Sequence, residues 1–78
     1  MIKMRIYTPS GTSEYSAQAV FLPGTAGAFE VLNNHAPLVS TLTAGQIRWR
    51  TPEGGEEQLQ IRSGVVRLSH NEMFICAE

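Results

Sequence analysis

The most informative stretch of this chain is LPGTAGAFEVLNNHAPLVSTL, residues 22–42, in which two turn-forming sites flank a short apolar strand. The Pro23-Gly24 pair predicts a tight turn, because proline presets its own φ and glycine accepts a positive φ without a Cβ clash. The apolar residues of the segment Phe29–Leu32 supply the strand, and Asn33-Asn34 tolerates left-handed geometry after it. Pro37 pushes the preceding residue toward an extended conformation and begins the next strand. None of these side chains is equipped for catalysis, so the segment predicts a rigid, shaped loop between strands.

Period-two alternation of apolar and polar residues continues through most of the chain. The alternating apolar sets are Ile2, Met4 and Ile6; Tyr15, Ala17, Ala19 and Phe21; Ile47 and Trp49; Leu59 and Ile61; and Val66 and Leu68. The chain closes on the run Met73-Phe74-Ile75-Cys76, and Gly, Pro and Asn clusters separate the runs. Short strands at this spacing are typical of a sandwich or barrel. We therefore predict an all-β chain, a small β-sandwich of about eight to ten short, mainly antiparallel strands.

The hairpin around Pro52 has a register that follows from the alternation. The apolar residues of its two strands all carry odd numbers: Ile47, Trp49, Leu59 and Ile61. Directly opposed odd-numbered residues leave an odd number of residues in the loop, which predicts a three- or five-residue loop around Pro52–Gly54. A two-residue turn at Gly54-Gly55 would instead turn one strand's apolar set outward.

Length and charge bound the class of protein. The 78 residues predict one small domain, residues 1–78, of modest stability. Cys76 is the single cysteine, so no intramolecular disulfide forms; we expect a reducing compartment and a thiol packed as a small apolar side chain in the last strand. A net charge of -1 argues against nucleic-acid binding. Without a targeting peptide or an apolar run of about 20 residues, we expect a soluble protein that reaches a membrane only through a partner.

The chain offers no catalytic constellation. It contains no aspartate, so a Ser-His-Asp triad is excluded, and no spacing supports a glutamate variant. His35 and His70 are the only histidines and lack the short-range ligand pairs of zinc sites, and His70 is predicted to be an exposed turn residue. The glycine-rich segment 23–27 is followed by no predicted helix, which disfavours a phosphate cradle. We predict no enzymatic activity for the isolated chain, and no cofactor or metal.

A competing class is a generic β-sandwich binding module for a peptide or a carbohydrate. Stacking on sugars needs an exposed aromatic face. Trp49 is the only tryptophan, and its alternation places it with Ile47 on the core side, which disfavours this alternative without removing it.

The order of these motifs resembles the amino-terminal domain of the epsilon subunit of F-type ATP synthase. The resemblance rests on Pro-Gly-x-x-Gly at 23–27, followed by Asn-His-Ala-Pro-Leu at 34–38 and by Gly45-Gln46-Ile47. It continues through Gly54-Gly55-Glu56-Glu57 and Ser63-Gly64-Val65-Val66 and covers nearly the whole chain. It implies a non-catalytic β-sandwich at the foot of the central rotor stalk, on the cytoplasmic face of the bacterial plasma membrane. The implied partners are the gamma subunit and the c-ring, so that proton-driven rotation is coupled to ATP synthesis.

The resemblance also implies which surfaces meet these partners. The implied c-ring-facing loops comprise Thr25, Ala26, Gly27, Ala28, Asn33, Asn34 and His35. The implied gamma-facing residues are His35, Leu38, Val39, Ser40, Thr41 and Thr43, with part of the 61–66 region. His35 beside a proline is also a structural corner whose ring hydrogen-bonds to the backbone. The two interpretations of His35 are compatible, because a ring that fixes the loop also fixes what the loop presents.

The chain departs from the family at its end and on one face. Members usually continue past the sandwich into a helical hairpin that can restrain ATP hydrolysis, whereas this chain stops at Ala77-Glu78. The inhibitory role, and nucleotide binding in that hairpin, are therefore not carried over. Many members have two glycines where this chain has Ser63-Gly64, and an acidic residue near Arg67, so the charge of that face is not carried over either. We expect a monomer.

Overall fold

The computed structural model describes residues 1–78 as nine strands in two sheets, without a helix. The strands are β1 (Ile2–Thr8), β2 (Gly11–Ala17), β3 (Ala19–Leu22), β4 (Phe29–Leu32), β5 (Leu38–Leu42), β6 (Gly45–Arg50), β7 (Glu56–Ile61), β8 (Gly64–Ser69) and β9 (Glu72–Ala77). None of the chain forms a helix of the length and apolarity needed to cross a membrane. The prediction of a small all-β sandwich with eight to ten strands is confirmed.

The two sheets differ in size and in their edges. The five-stranded sheet has the order β2-β1-β9-β8-β5, and the four-stranded sheet has the order β4-β3-β6-β7. Every neighbouring pair is antiparallel except β1 and β9, which run parallel. Strands β4 and β5, which flank the loop that follows Leu32, are therefore both edge strands.

The core lies between the inner faces of the two sheets. Sixteen buried apolar residues form one cluster, and no polar side chain is buried. Ile2, Met4 and Ile6 of β1 all point inward, as their alternation predicted. Trp49 is only 2% exposed, and its ring centroid lies 4.7 Å from that of Tyr15. Full burial of a Val, Leu, Ile or Met side chain contributes about 1.5–3 kcal/mol to the free energy of unfolding. This cluster is therefore the main stabilising element of the fold.

The β6–β7 hairpin has the predicted register. Ile47 pairs with Leu59, and residues 51–55, an odd number, lie between the two strand ends. The backbone N–H of Thr51 donates to the carbonyl oxygen of Gly55 at 2.8 Å, which closes the loop. Inside it, Gly54 has a φ of +92°, a left-handed conformation for which glycine carries no Cβ penalty.

The alternation predicted for residues 15–21 agrees with the burial of Ala19 and is wrong at Phe21. At Gln18 the chain leaves the five-stranded sheet and enters the four-stranded one, so the parity of the inward-facing residues changes. Val20 is therefore fully buried, whereas Phe21 faces outward and the guanidinium of Arg48 lies 4.8 Å from its ring centroid. The outward side of the four-stranded sheet thus carries an aromatic ring that the sequence pattern assigned to the core.

Cys76 is exposed, which corrects the prediction that its thiol packs as an apolar core residue. In β9 the buried residues are Met73, Ile75 and Ala77. Because successive side chains of a strand point to opposite faces, this pattern turns Cys76 outward. The thiol consequently belongs to the outer face of the five-stranded sheet.

Position 24 has no room for a Cβ atom, so the turn needs glycine there for steric reasons. The prediction that the turn depends on a positive φ at Gly24 is wrong. A Cβ at Gly24 would lie 2.6 Å from the carbonyl oxygen of Gly27 and 2.8 Å from the ring of Phe29. The positive φ of this turn, +137°, is found at Gly27 instead. The turn is therefore folded tightly against the Phe29 ring.

Candidate functional site

The two turns predicted to face the c-ring lie at opposite ends of β4. Residues 25–28 precede this strand and residues 33–35 follow it, and all seven residues are exposed. Each residue of a strand advances the chain by about 3.3 Å, so the four residues of β4 separate the turns by roughly 13 Å. The structure does not bring the turns together at one end of the sandwich. A partner that contacts both must extend along the edge of β4.

The turn at residues 25–28 is fastened to edge strand β5. The backbone N–H of Thr25 donates to the carbonyl oxygen of Thr41 at 3.1 Å, and the N–H of Thr43 donates to the carbonyl oxygen of Pro23 at 2.8 Å. Gly24 forms an isolated bridge with Leu42. These contacts cover part of the open edge of β5, which limits edge-to-edge pairing there. They also join one predicted c-ring-facing turn to the predicted gamma-facing strand.

Alternation divides the predicted gamma-facing residues of β5 between two sides. Val39 and Thr41 are exposed on the outer face, and 71% of Val39 is accessible. Leu38 and Ser40 are half-buried on the side that also carries the buried Leu42. Only Val39 and Thr41 of this strand can therefore contact a partner on the outer face of the five-stranded sheet.

An apolar strip crosses the outer face of the five-stranded sheet. We define the outer strip as Val39, Val65, Cys76 and Tyr7, on β5, β8, β9 and β1. Val65 pairs with Thr41 on one side and with Cys76 on the other, and Cys76 pairs with Tyr7. Val65 is 45% exposed, and Val39 lies diagonally across from it on the same face, directly opposite Arg67. Clustered exposed apolar side chains of this kind mark interaction surfaces.

Cys76 and Tyr7 of this strip were not predicted as site residues. The signal that could have identified Cys76 was present, because alternation counted from the core residue Ile75 turns it outward. Its assignment to the core came from the general burial preference of cysteine. Tyr7 could be placed beside it only once the parallel pairing of β1 with β9 was known.

Charged side chains border the outer strip. On the row that also carries Val39, the guanidinium of Arg67 lies 5.6 Å from the ring centroid of Phe74. Arg5 lies 2.9 Å from the carboxylate of Glu14, and its pKa is raised by a side-chain hydrogen bond with Tyr7 and by the charge of Glu14. An apolar centre with a polar, charged border is the usual anatomy of a protein interface.

His35 forms the structural corner that the sequence predicted. Its ring Nδ1–H donates to the carbonyl oxygen of Ala36 at 2.6 Å, and its backbone N–H donates to the carbonyl oxygen of Leu32 at 3.2 Å. Asn34 has a φ of +64°, the left-handed conformation expected of this pair of asparagines. The loop also contacts Asn71, a residue that the motif did not contain. His35 is therefore held in a defined orientation on an exposed loop.

His70 lies in the β8–β9 turn and is exposed, as predicted. Its ring Nδ1 lies 3.0 Å from the hydroxyl oxygen of Ser69. No group of three or more His, Cys, Asp or Glu residues is arranged to hold a metal ion.

Comparison with known proteins matches the whole chain to one family. The family model described as "ATP synthase, Delta/Epsilon chain, beta-sandwich domain" matches residues 1–78. The chain is 37% identical over 76 residues to the ATP synthase epsilon chain of Desulfitobacterium hafniense, covering 96% of this chain and 57% of that relative. It is 38% identical over 78 residues to the ATP synthase epsilon chain of a Nitratiruptor species, covering 99% of this chain and 60% of that relative. The chain thus spans less than two thirds of the length of these relatives.

Solved structures share the fold. A chain in the cryo-EM structure of the Euglena gracilis mitochondrial ATP synthase, OSCP/F1/c-ring in rotational state 1, has a TM-score of 0.90 at 18% identity, covering 97% of this chain and 49% of that chain. A chain of the Tetrahymena thermophila mitochondrial ATP synthase central stalk/c-ring has a TM-score of 0.80 at 12% identity, covering 97% of this chain and 62% of that chain. At these identities the likeness establishes the fold. The family model matches residues 1–78, and the relatives exceed 30% identity. The chain therefore belongs to the family of ATP synthase delta/epsilon chain β-sandwich domains.

Proposed function

We propose that this chain is the β-sandwich domain of a non-catalytic central-stalk subunit of an F-type, proton-translocating ATP synthase. It binds the gamma subunit and the c-ring, so that rotation driven by protons reaches the catalytic head as torque. The observation that carries this proposal is the family match along all 78 residues. Bacterial relatives named ATP synthase epsilon chain support a location at the cytoplasmic face of the plasma membrane, held there through the complex.

The outer strip is the surface we assign to the gamma subunit. Val39 and Val65 are among the four large apolar residues of the chain that are exposed, and they lie together on one face. Removing such side chains from water contributes about 25 cal/mol per Å² of apolar area, which makes them natural anchors for a lateral partner. The arginines Arg5 and Arg67 at the border would add orientation through complementary charge.

The turn of residues 25–28 is the surface we assign to the c-ring. Its side chains are small and uncharged, and all four residues are exposed. Small side chains let two backbones approach closely, and the hydrogen bonds to Thr41 keep the turn rigid. The loop of residues 33–35 lies at the far end of β4, so it contacts the c-ring only if that partner extends along this edge.

The alternative of a peptide or carbohydrate module lacks its aromatic platform. Trp49 is 2% exposed and packs against Tyr15. Phe21 and Phe74 are half-buried, and an arginine guanidinium lies over each ring. The faces of these rings are thus not free for stacking on a sugar ring, and we do not favour this function.

Calorimetric titration of the purified chain with the purified gamma subunit of the same organism tests the proposal. We expect one-to-one binding with a Kd below about 1 μM. The affinity of Val39→Asp should be at least tenfold weaker, because its carboxylate would be buried in the outer strip. Gln58→Asp is the control, since Gln58 is also exposed but lies on β7 of the four-stranded sheet, apart from both the outer strip and the Asn33–His35 loop. Its affinity should stay within about twofold of the wild type. A folded wild-type chain that does not bind, or an equal loss in both variants, would contradict the proposal.

His35→Ala extends the same titration to the loop. We expect a loss of about 1 kcal/mol or more if His35 lies in the gamma interface, the size that defines an energetically important contact. Unchanged affinity would remove His35 from the gamma-facing surface and leave the outer strip as the assigned contact.

A further inference from the structure

The three non-glycine residues with a left-handed backbone all lie at one corner of the sandwich. Asn34, His70 and Asn71 have φ values of 64°, 52° and 62°. Asn34 belongs to the β4–β5 loop, and the other two form the β8–β9 turn. Left-handed geometry is uncommon for residues that carry a Cβ. At His70 and Asn71 this geometry comes from the turn itself, because a two-residue type I′ hairpin turn needs a positive φ at both central residues. The turn places the Asn71 side chain beside the β4–β5 loop.

The Asn71 side chain makes these contacts, although it lies 37 residues after Asn34. Its Oδ1 accepts a hydrogen bond from the backbone N–H of Asn34 at 2.7 Å. Its Nδ2 donates to Oδ1 of Asn33 at 2.9 Å and to Oδ1 of Asn34 at 3.1 Å. We call Asn33, Asn34 and Asn71 the asparagine clasp. Both donors of the Asn71 amide group are used within it.

The clasp holds an otherwise weakly attached segment. Residues 33–37 run from the end of β4 to the start of β5, cross between the sheets and are all exposed. The only other hydrogen bond from this segment to the rest of the chain joins the N–H of His35 to the carbonyl oxygen of Leu32. The carbonyl oxygen of Asn71 also accepts from the N–H of Lys3 at 2.8 Å, which anchors the clasp to β1. His35 and His70 line the same shallow concavity of about 430 Å³ beside it.

We propose that Asn71 is a positioning residue that sets the affinity of the Asn33–His35 loop for the gamma subunit. Its side chain holds the loop in the binding conformation before the partner arrives, so the cost of ordering the loop is met during folding and not during association. The inference rests on the proposed function, because it takes His35 to be part of the gamma-facing surface. Asn71 itself need not touch the partner.

The substitution Asn71→Gly tests this role. Glycine adopts the left-handed conformation without a Cβ penalty, so the variant keeps the turn and removes only the clasp. We expect the backbone amide of Asn34 to exchange with solvent at least tenfold faster in NMR. We also expect binding to the purified gamma subunit to weaken about tenfold, because the loop must then be ordered on binding.

Gly54→Ala is the matched control. Gly54 has a φ of +92° in the β6–β7 loop, and a Cβ there meets no atom within 4 Å, so this variant strains the backbone without touching the clasp. It should lower the melting temperature at least as much as Asn71→Gly does and leave the gamma affinity within twofold of the wild type. If Gly54→Ala weakens binding equally, general destabilisation explains the effect and the proposal is wrong.

The two readouts separate this inference from the proposed function. Unchanged exchange at Asn34 in Asn71→Gly would overturn the clasp, and faster exchange with unchanged affinity would overturn its role in binding. If the folded wild type does not bind the gamma subunit, the proposed function fails, and the affinity claim fails with it. If the Asn34 amide nevertheless exchanges faster in Asn71→Gly, the clasp orders the loop but has no role in binding the gamma subunit.

Discussion

The hydroxyl oxygens of Thr25 and Thr41 lie 2.6 Å apart, and this contact fastens the β3–β4 turn to edge strand β5. The backbone hydrogen bond from Thr25 to Thr41 reinforces it. The turn assigned to the c-ring and the strand assigned to the gamma subunit are therefore one mechanical unit. Under the proposed function, these hydrogen bonds would hold the two partner-facing surfaces in a constant relative position.

Replacing Thr41 with valine should lower the free energy of unfolding by about 0.5–1.5 kcal/mol, the usual net contribution of one hydrogen bond. Valine keeps the branched shape and removes only the hydroxyl. Urea denaturation measures the change. Thr43→Val is the control, because the Thr43 hydroxyl makes no hydrogen bond within the chain, and its effect should stay within about 0.5 kcal/mol.

A double variant, Thr25→Val with Thr41→Val, checks the coupling. If the two hydroxyls bond to each other, the double variant should be little less stable than either single variant. Strictly additive losses would show that each hydroxyl has a separate partner.

Gly24→Ala should destabilise the chain by about 1–3 kcal/mol, the usual range for overpacking. The added Cβ would lie 2.6 Å from the carbonyl oxygen of Gly27, so the turn has to shift. Gly55→Ala is the control, since its Cβ would meet only the Thr51 hydroxyl oxygen, at 3.3 Å. Thermal unfolding of both variants measures the difference, and equal melting temperatures would argue against a tightly packed turn.

Trp49 should show blue-shifted fluorescence that iodide and acrylamide quench poorly, because the indole is 2% exposed and packed against Tyr15. Unfolding in urea should shift the emission to longer wavelengths and restore quenching. Added sugars should leave the native spectrum unchanged. A sugar-dependent shift in the folded chain would revive the carbohydrate-binding alternative.

Cys76 should react with an aromatic disulfide reagent in the folded chain at a rate within about tenfold of that in urea, because its thiol is exposed. Saturating gamma subunit should slow the reaction at least tenfold, since Cys76 lies beside Val65 in the outer strip. The same reaction with the Cys76→Ser variant measures the background from the thiols of the gamma subunit. Equal rates with and without bound gamma would place the interface elsewhere.

Residues close together in sequence carried the correct predictions. The odd numbering of Ile47, Trp49, Leu59 and Ile61 predicted the register of the β6–β7 hairpin, because the side-chain period of a strand is two and the loop connects both strands directly. The turn residues likewise predicted where strands end, and Asn34 adopts the left-handed backbone expected of it. The ordered motifs from Pro23 to Val66 led to the family that the comparison establishes.

Features that depend on contacts between residues far apart in the sequence could be determined only from the tertiary structure. The parity change at Gln18 follows from which sheet each strand joins, and the sequence pattern carries no mark of that choice. The attachment of the 25–28 turn to β5 likewise depends on a contact between Thr25 and Thr41, which are 16 residues apart. The clasp through Asn71 requires two loops from different sheets to meet. The strands, most of their alternation and the family could be predicted from the chain alone, since these arise from local periodicity and turn chemistry. Packing between the sheets determined which surfaces those strands form.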